Sequence, residues 1–127
     1  MSALVMLVED DPDIREMICA LLELEGWRVI AYSNGTEALD ALRAQSDPPF
    51  LILLDLMMPV MNGWQFLAEQ ERDPSLSGIP VVVLSGDVRE GAPGSLHVDG
   101  YLRKPIDLDV LLATVRKFSG VGDGVKR

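Results

Sequence analysis

The sequence predicts an α/β fold, a parallel sheet of five strands with helices on both faces. Three observations predict it. Short apolar runs alternate five times with segments of helical periodicity, which is the pattern of strands joined by crossover helices. Two of the runs, residues 50–54 and 80–84, show no polar alternation, as strands buried on both faces do. Four of the runs end in polar residues: Glu9-Asp10-Asp11, Asp55, Ser85 and Lys104-Pro105. A parallel sheet gathers such ends at one edge, where ligands bind.

The first strand spans Leu4–Val8. Pro12 and Asp13 start a helix, since proline suits the first turn and an acid is favoured by the dipole there. Ile14, Met17, Ile18, Leu21 and Leu22 recur at helical spacing and give it one apolar face, and Gly26 stops it. A second strand covers Arg28–Tyr32, and Ser33-Asn34-Gly35 turns the chain into a short helix over residues 36–44, with Ala38, Leu39 and Leu42 inward. The central strand starts at Phe50 and ends on Asp55; Asn62-Gly63 then makes a turn before a helix over residues 64–72. The fourth strand is residues 80–84 and the fifth, a short one, Gly100–Arg103. The last helix, over residues 107–118, is expected to bury Leu108, Leu111, Leu112 and Val115. Right-handed crossovers limit the topologies to a few, but periodicity does not order the strands.

With 127 residues, 48% of them hydrophobic, the chain makes one domain with a substantial core. Residues 1–119 form that domain; 120–127, rich in glycine and poor in apolar groups, are expected to be a mobile tail. Eleven Lys and Arg against twenty Asp and Glu give a net charge of −9. That balance disfavours direct nucleic-acid binding and attraction to anionic membranes. A single cysteine, Cys19, excludes an internal disulfide and a thiolate metal cage, and reads as a small buried residue of the first helix. No apolar run approaches transmembrane length and no secretory leader is visible, so a soluble cytoplasmic location is expected.

The converging strand ends carry carboxylates, a hydroxyl and an ammonium. Magnesium, a hard cation, takes carboxylates, a backbone carbonyl and retained waters. An aspartate is a nucleophile able to form an aspartyl phosphate. A cation, a lysine and a hydroxyl stabilise the charge spread over a transferring phosphoryl group. The set therefore suits magnesium-assisted phosphoryl transfer.

The residues VEDDPDIR from Val8, DLMMP from Asp55, Asn62-Gly63, Ser85 and YLRKP from Tyr101 stand together in this order. The chain resembles the receiver domain of bacterial two-component response regulators over nearly its whole length. The resemblance implies a doubly wound sheet of flavodoxin-like order 2-1-3-4-5. It implies that Asp55 accepts a phosphoryl group from a phosphohistidine on a histidine kinase or phosphotransfer protein, and that the change is read by an unknown downstream protein. Asp10, Asp55 and the Met57 carbonyl would hold magnesium directly, with Glu9 acting through water. Ser85 and Lys104 would bind phosphoryl oxygens, Tyr101 would switch rotamer, and the Lys104–Pro105 peptide would be cis. Asp11 and Asp13 read instead as helix-start acids, and His97 has no assigned function.

Other readings fit less well. A haloacid-dehalogenase-type enzyme carries a second aspartate two residues after its nucleophile, where this chain has Met57. A flavodoxin needs a Ser/Thr/Gly-rich phosphate loop after the first strand, where this chain has acids. A pseudo-receiver would have lost site residues, and none is lost. The chain reads as a phospho-accepting signalling domain rather than an enzyme on other molecules, and as a stand-alone receiver, with a piece of a hybrid kinase or larger regulator as the alternative. Gly91, Pro93 and Gly94 lie between the fourth and fifth strands, where the family has a full helix. Interior proline and glycine disfavour helix, so a short or irregular fourth helix, or a loop, is expected over residues 88–99.

Overall fold

The five apolar runs pair side by side into one parallel sheet ordered β2-β1-β3-β4-β5, as the resemblance implied. The computed structural model describes residues 4–58, 60–86 and 98–120. Its strands are β1 (Leu4–Val8), β2 (Arg28–Tyr32), β3 (Leu51–Asp55), β4 (Val81–Ser85) and β5 (Gly100–Arg103). Its helices are α1 (Pro12–Leu24), α2 (Gly35–Ala44), α3 (Gly63–Arg72) and α4 (Leu108–Ser119). The short or irregular helix, or loop, expected over residues 88–99 lies outside the described residues except for Val98 and Asp99, which are not helical, and so does the tail from Val121. Element ends differ from the sequence reading by about one residue. Ser85 is still paired in the ladder, which moves β4 one residue along, while β3 starts at Leu51 rather than Phe50.

Because strand side chains alternate in direction, β1, β3 and β4 feed two cores. Met6, Val8, Ile52, Leu54, Val81 and Val83 point to one face, where α2 supplies Leu39 and Leu42 and α3 supplies Phe66 and Leu67. Val5, Leu7, Leu51, Leu53, Val82 and Leu84 point to the other, with Ile18 and Leu22 of α1 and Leu111 and Val115 of α4. The helices therefore cover both faces, and each fully buried aliphatic side chain contributes about 1.5–3 kcal/mol. Two expected core positions are exposed. Met17 and Leu108 are each 40% exposed, because they flank the narrower stripe that touches the sheet. Cys19 is half-buried, and burial together with the Glu23 charge pushes its thiol pKa up, which keeps it a poor nucleophile.

Local chemistry sets where each helix begins at the carboxyl edge. Asp11 caps α1 by accepting from Asp13 N and Ile14 N, and Pro12 occupies the first turn. Asn34 caps α2. Asn62 and Gln65 cap α3 reciprocally, each side chain accepting from the other's backbone N–H at 2.9 Å. Asp107 caps α4, with Arg116 and Lys117 in its last turn. Among the described residues, no helix is long and apolar enough to cross a membrane.

Candidate functional site

Register alone brings the acids together. Val8 pairs with Leu54, so the residues that follow, Glu9 and Asp55, leave neighbouring strands side by side. Asp55 pairs with Leu84 and Ser85 with Arg103, and the Lys104 N–H donates to the Ser85 carbonyl at 2.8 Å. Glu9, Asp55, Ser85 and Lys104 therefore stand in sequence along the carboxyl edge of the sheet.

The side chains then converge. Asp55 is 2% exposed and Glu9 is fully buried. Lys104 Nζ lies 3.0 Å from Glu9 Oε1, 3.2 Å from Glu9 Oε2 and 3.4 Å from Asp55 Oδ1. Glu9 Oε2 also accepts from the Asp11 N–H, and Asp55 Oδ1 from the Met57 N–H, both at 3.2 Å. The approach of Glu9 Oε1 to Lys104 is an ion pair without hydrogen-bond alignment, which leaves that oxygen without a donor. One oxygen from each of Glu9, Asp10 and Asp55 lies within 4.8 Å of the other two. Ser85 is buried at the end of β4, while Tyr101 on β5 is 45% exposed. The Lys104–Pro105 peptide is cis.

Electrostatics follows from this crowding. Burial raises the Asp55 pKa first and the Glu9 charge raises it further, while Lys104 offsets part of the rise; the result is about 7. Burial works against the Lys104 ammonium, but the hydrogen bond to Glu9 and the charges of Asp55 and Glu9 outweigh it and hold its pKa above the usual lysine value. Three clustered carboxylates facing one ammonium leave a net negative pocket, and all the donors are hard oxygens. Octahedral magnesium, with metal–oxygen distances of about 2.1 Å, holds its ligand oxygens roughly 3–4 Å apart. The cluster is within a small side-chain adjustment of that spacing, so the residues present fit a magnesium-type cation.

The model of the response regulator receiver domain matches residues 5–116. The chain belongs to that family. It is a receiver domain of two-component response regulators, whose general function is to be phosphorylated on an aspartate. It is 39% identical over 118 residues to response regulator Rre1 of Synechocystis, covering 88% of this chain and 49% of that protein. The DNA-binding dual master transcriptional regulator RpaA of the same organism is 34% identical, with 88% of this chain and 47% of that protein covered. The receiver thus spans about half the length of these relatives. The exclusion of nucleic acid drawn from net charge speaks only for this domain, since RpaA is by its name a DNA-binding protein. The structure of the phosphorylated cyanobacterial phytochrome response regulator RcpA superposes with a TM-score of 0.78 at 34% identity, covering 94% of this chain and 93% of that one. The manganese-bound form of response regulator Rcp1 gives 0.75 at 33%, covering 93% and 92%.

Two features of the site were not anticipated from the sequence. Glu9 is paired directly with Lys104. Arg15 of α1 donates to backbone carbonyls of the acidic loop. A cation one helical turn beyond an acid run was the available signal.

Proposed function

We propose that Asp55 is the phosphoryl acceptor of this receiver, in a reaction that needs a divalent cation. The observation that carries the reading is the placing of a nearly buried Asp55 against two further carboxylates and one lysine. An Asp55 carboxylate oxygen attacks phosphorus as the bond from phosphorus to the donor's imidazole nitrogen breaks; the electron pair leaves with the imidazole. Asp10 and Asp55, with the Met57 carbonyl, would hold magnesium or manganese, and Glu9 would act through water. Bound there, the cation offsets carboxylate charge and stabilises the oxygens of the transferring group. Lys104 binds one of those oxygens, and the Ser85 hydroxyl another. The attacking group must be ionised, and the same cation and Lys104 favour that form.

In this reading the donor is a histidine kinase or a phosphotransfer protein, and Tyr101 with Ser85 reports the state of Asp55 to a downstream protein. The domain promotes only its own phosphorylation and dephosphorylation, within residues 1–119, and works in the cytoplasm. Labelling from a small-molecule phosphodonor tests the assignment. Wild type should incorporate phosphate only with magnesium present, and Asp55→Asn should incorporate none. Equal labelling of the two would remove Asp55 from the role.

A further inference from the structure

Arg15 lies in the first turns of α1, half-buried, with its guanidinium turned back toward the acidic loop. Its Nη1 donates to the Glu9 carbonyl at 2.9 Å and, more weakly, to the Asp10 carbonyl at 3.4 Å. These carbonyls belong to the two peptide units that flank the Asp10 Cα. A peptide unit is planar. Fixing the direction of both carbonyls therefore fixes φ and ψ at Asp10, and with them the direction in which its side chain leaves the backbone. The peptide before Glu9 is held as well, because the Glu9 N–H donates to Tyr32 O at 3.0 Å.

We propose that Arg15 is a positioning residue for the cation site, aiming the Asp10 and Glu9 carboxylates by clamping the peptides behind them. The remaining loop contacts act one residue later. Glu9 Oε2 accepts from Asp11 N, and Asp11 Oδ1 accepts from Asp13 N and Ile14 N. Those bonds fix where α1 starts, and leave the carbonyls at Glu9 and Asp10 to Arg15. Magnesium demands near-ideal octahedral geometry, so a small swing of a ligating carboxylate weakens binding. Both bonds come from the one Nη1, whose two N–H directions are fixed in the guanidinium plane, whereas an ammonium is a compact point charge with rotatable donors.

The inference rests on the proposed cation site, and its sign separates it from a simpler view. A positive charge near a cation site opposes binding, so if Arg15 acted by charge alone its removal would tighten magnesium. If it acts by aiming the ligands, its removal loosens magnesium. Isothermal titration of magnesium into the wild type, Arg15→Met and Arg15→Lys decides between them. The expected result is about tenfold weaker binding for Arg15→Met, the scale on which outer-shell partners act. A smaller loss, on the order of threefold, is expected for Arg15→Lys, which keeps the charge and loses the fixed planar donor that holds both carbonyls. Thermal melts in EDTA should leave both variants folded, which assigns the loss to the site. Arg15→Met affinity equal to or tighter than wild type overturns the role. Should that variant fail to fold, unchanged affinity in Arg15→Lys overturns it. No binding by the wild type would remove the cation site itself; binding with unaltered variants would remove only the part given to Arg15.

Discussion

Lys104 Nζ sits 3.0 Å from Glu9 Oε1, so the end of β5 is ionically tied to the end of β1 across the intervening Asp55. The pair is inside the protein on one side only. Glu9 is fully buried, while 21% of the Lys104 side chain remains exposed. Removing one partner of a buried pair leaves the other as an uncompensated charge, typically at about 3–5 kcal/mol.

Lys104→Met should therefore destabilise the metal-free protein at neutral pH, by about 2 kcal/mol once the partial exposure of the lysine is allowed for. Saturating magnesium should restore most of that loss, since a divalent cation supplies the missing positive charge. Urea unfolding in EDTA and in magnesium measures both. A variant as stable as wild type in EDTA would show that the ion pair does not hold the strand ends.

Asp55 makes metal-free stability depend on pH. Its carboxyl ionises near 3.8 in the unfolded chain and at about 7 in the folded protein. Between these values the folded state holds the extra proton, so this contribution is greatest below the lower pKa and is lost as pH rises through the upper one. From pH 5 to pH 8 in EDTA, wild type should lose on the order of 2 kcal/mol relative to Asp55→Asn, which has no such proton. Parallel urea melts of the two proteins at both pH values give the difference. A constant gap between them would mean that burial and Glu9 do not raise the Asp55 pKa.

Much of the fold was legible because β1, β3 and β4 are continuous apolar runs, and a run of five such residues buried on both faces has few alternatives. Asn62 and Asp107 cap helices where the sequence reading had a turn residue and a first helical residue, and both do what short polar side chains do there. Strand order was not legible, since periodicity says which faces are apolar and not which strands are neighbours; it came from the resemblance. Met17 and Leu108 were misread because helical spacing marks a stripe wider than the one the sheet covers. Gln70 is buried, donating to the carbonyls of Leu76 and Ile79, a loop closure that no local pattern announces. In the site, residue types at strand ends revealed Asp55 and the acids. The Lys104–Glu9 pairing joins residues far apart in the chain and needed the register.

Asp10→Ala should weaken magnesium binding by more than about tenfold, at least the scale of losing an outer-shell partner. Asp13→Ala should change it less than about twofold. Asp10 contributes an oxygen to the cluster, whereas Asp13 is exposed in the first turn of α1. Calorimetric titration of both variants compares them directly. Equal losses would mean that overall negative charge, rather than a defined ligand set, attracts the cation.

The turn after Asp55 carries two backbone constraints of opposite sign. Val60 has φ of 68°, a left-handed conformation that strains a β-branched residue, and at 83% exposure its side chain gains little from burial. Val60→Gly should relieve that strain, at about 1–3 kcal/mol for a residue held there, against roughly 0.5–1 kcal/mol of added chain entropy in the unfolded state. A net gain of about 1 kcal/mol in a urea melt is expected. Gly63 is constrained by space instead. A Cβ there would stand 2.7 Å from Leu56 Cα and 2.8 Å from the Asp55 carbonyl oxygen. Its N–H also donates to the Leu56 carbonyl at 2.9 Å, so α3 begins in contact with the chain that follows Asp55. Gly63→Ala must push that contact apart, and should cost about 2 kcal/mol of stability, within the 1–3 kcal/mol range of overpacking. Because the displaced backbone is that of Asp55 and Leu56, the same variant should also slow phosphate incorporation from a small-molecule donor. Full stability with slowed labelling would place the effect of Gly63 on the site alone, and normal values of both would show that the turn yields to a methyl group.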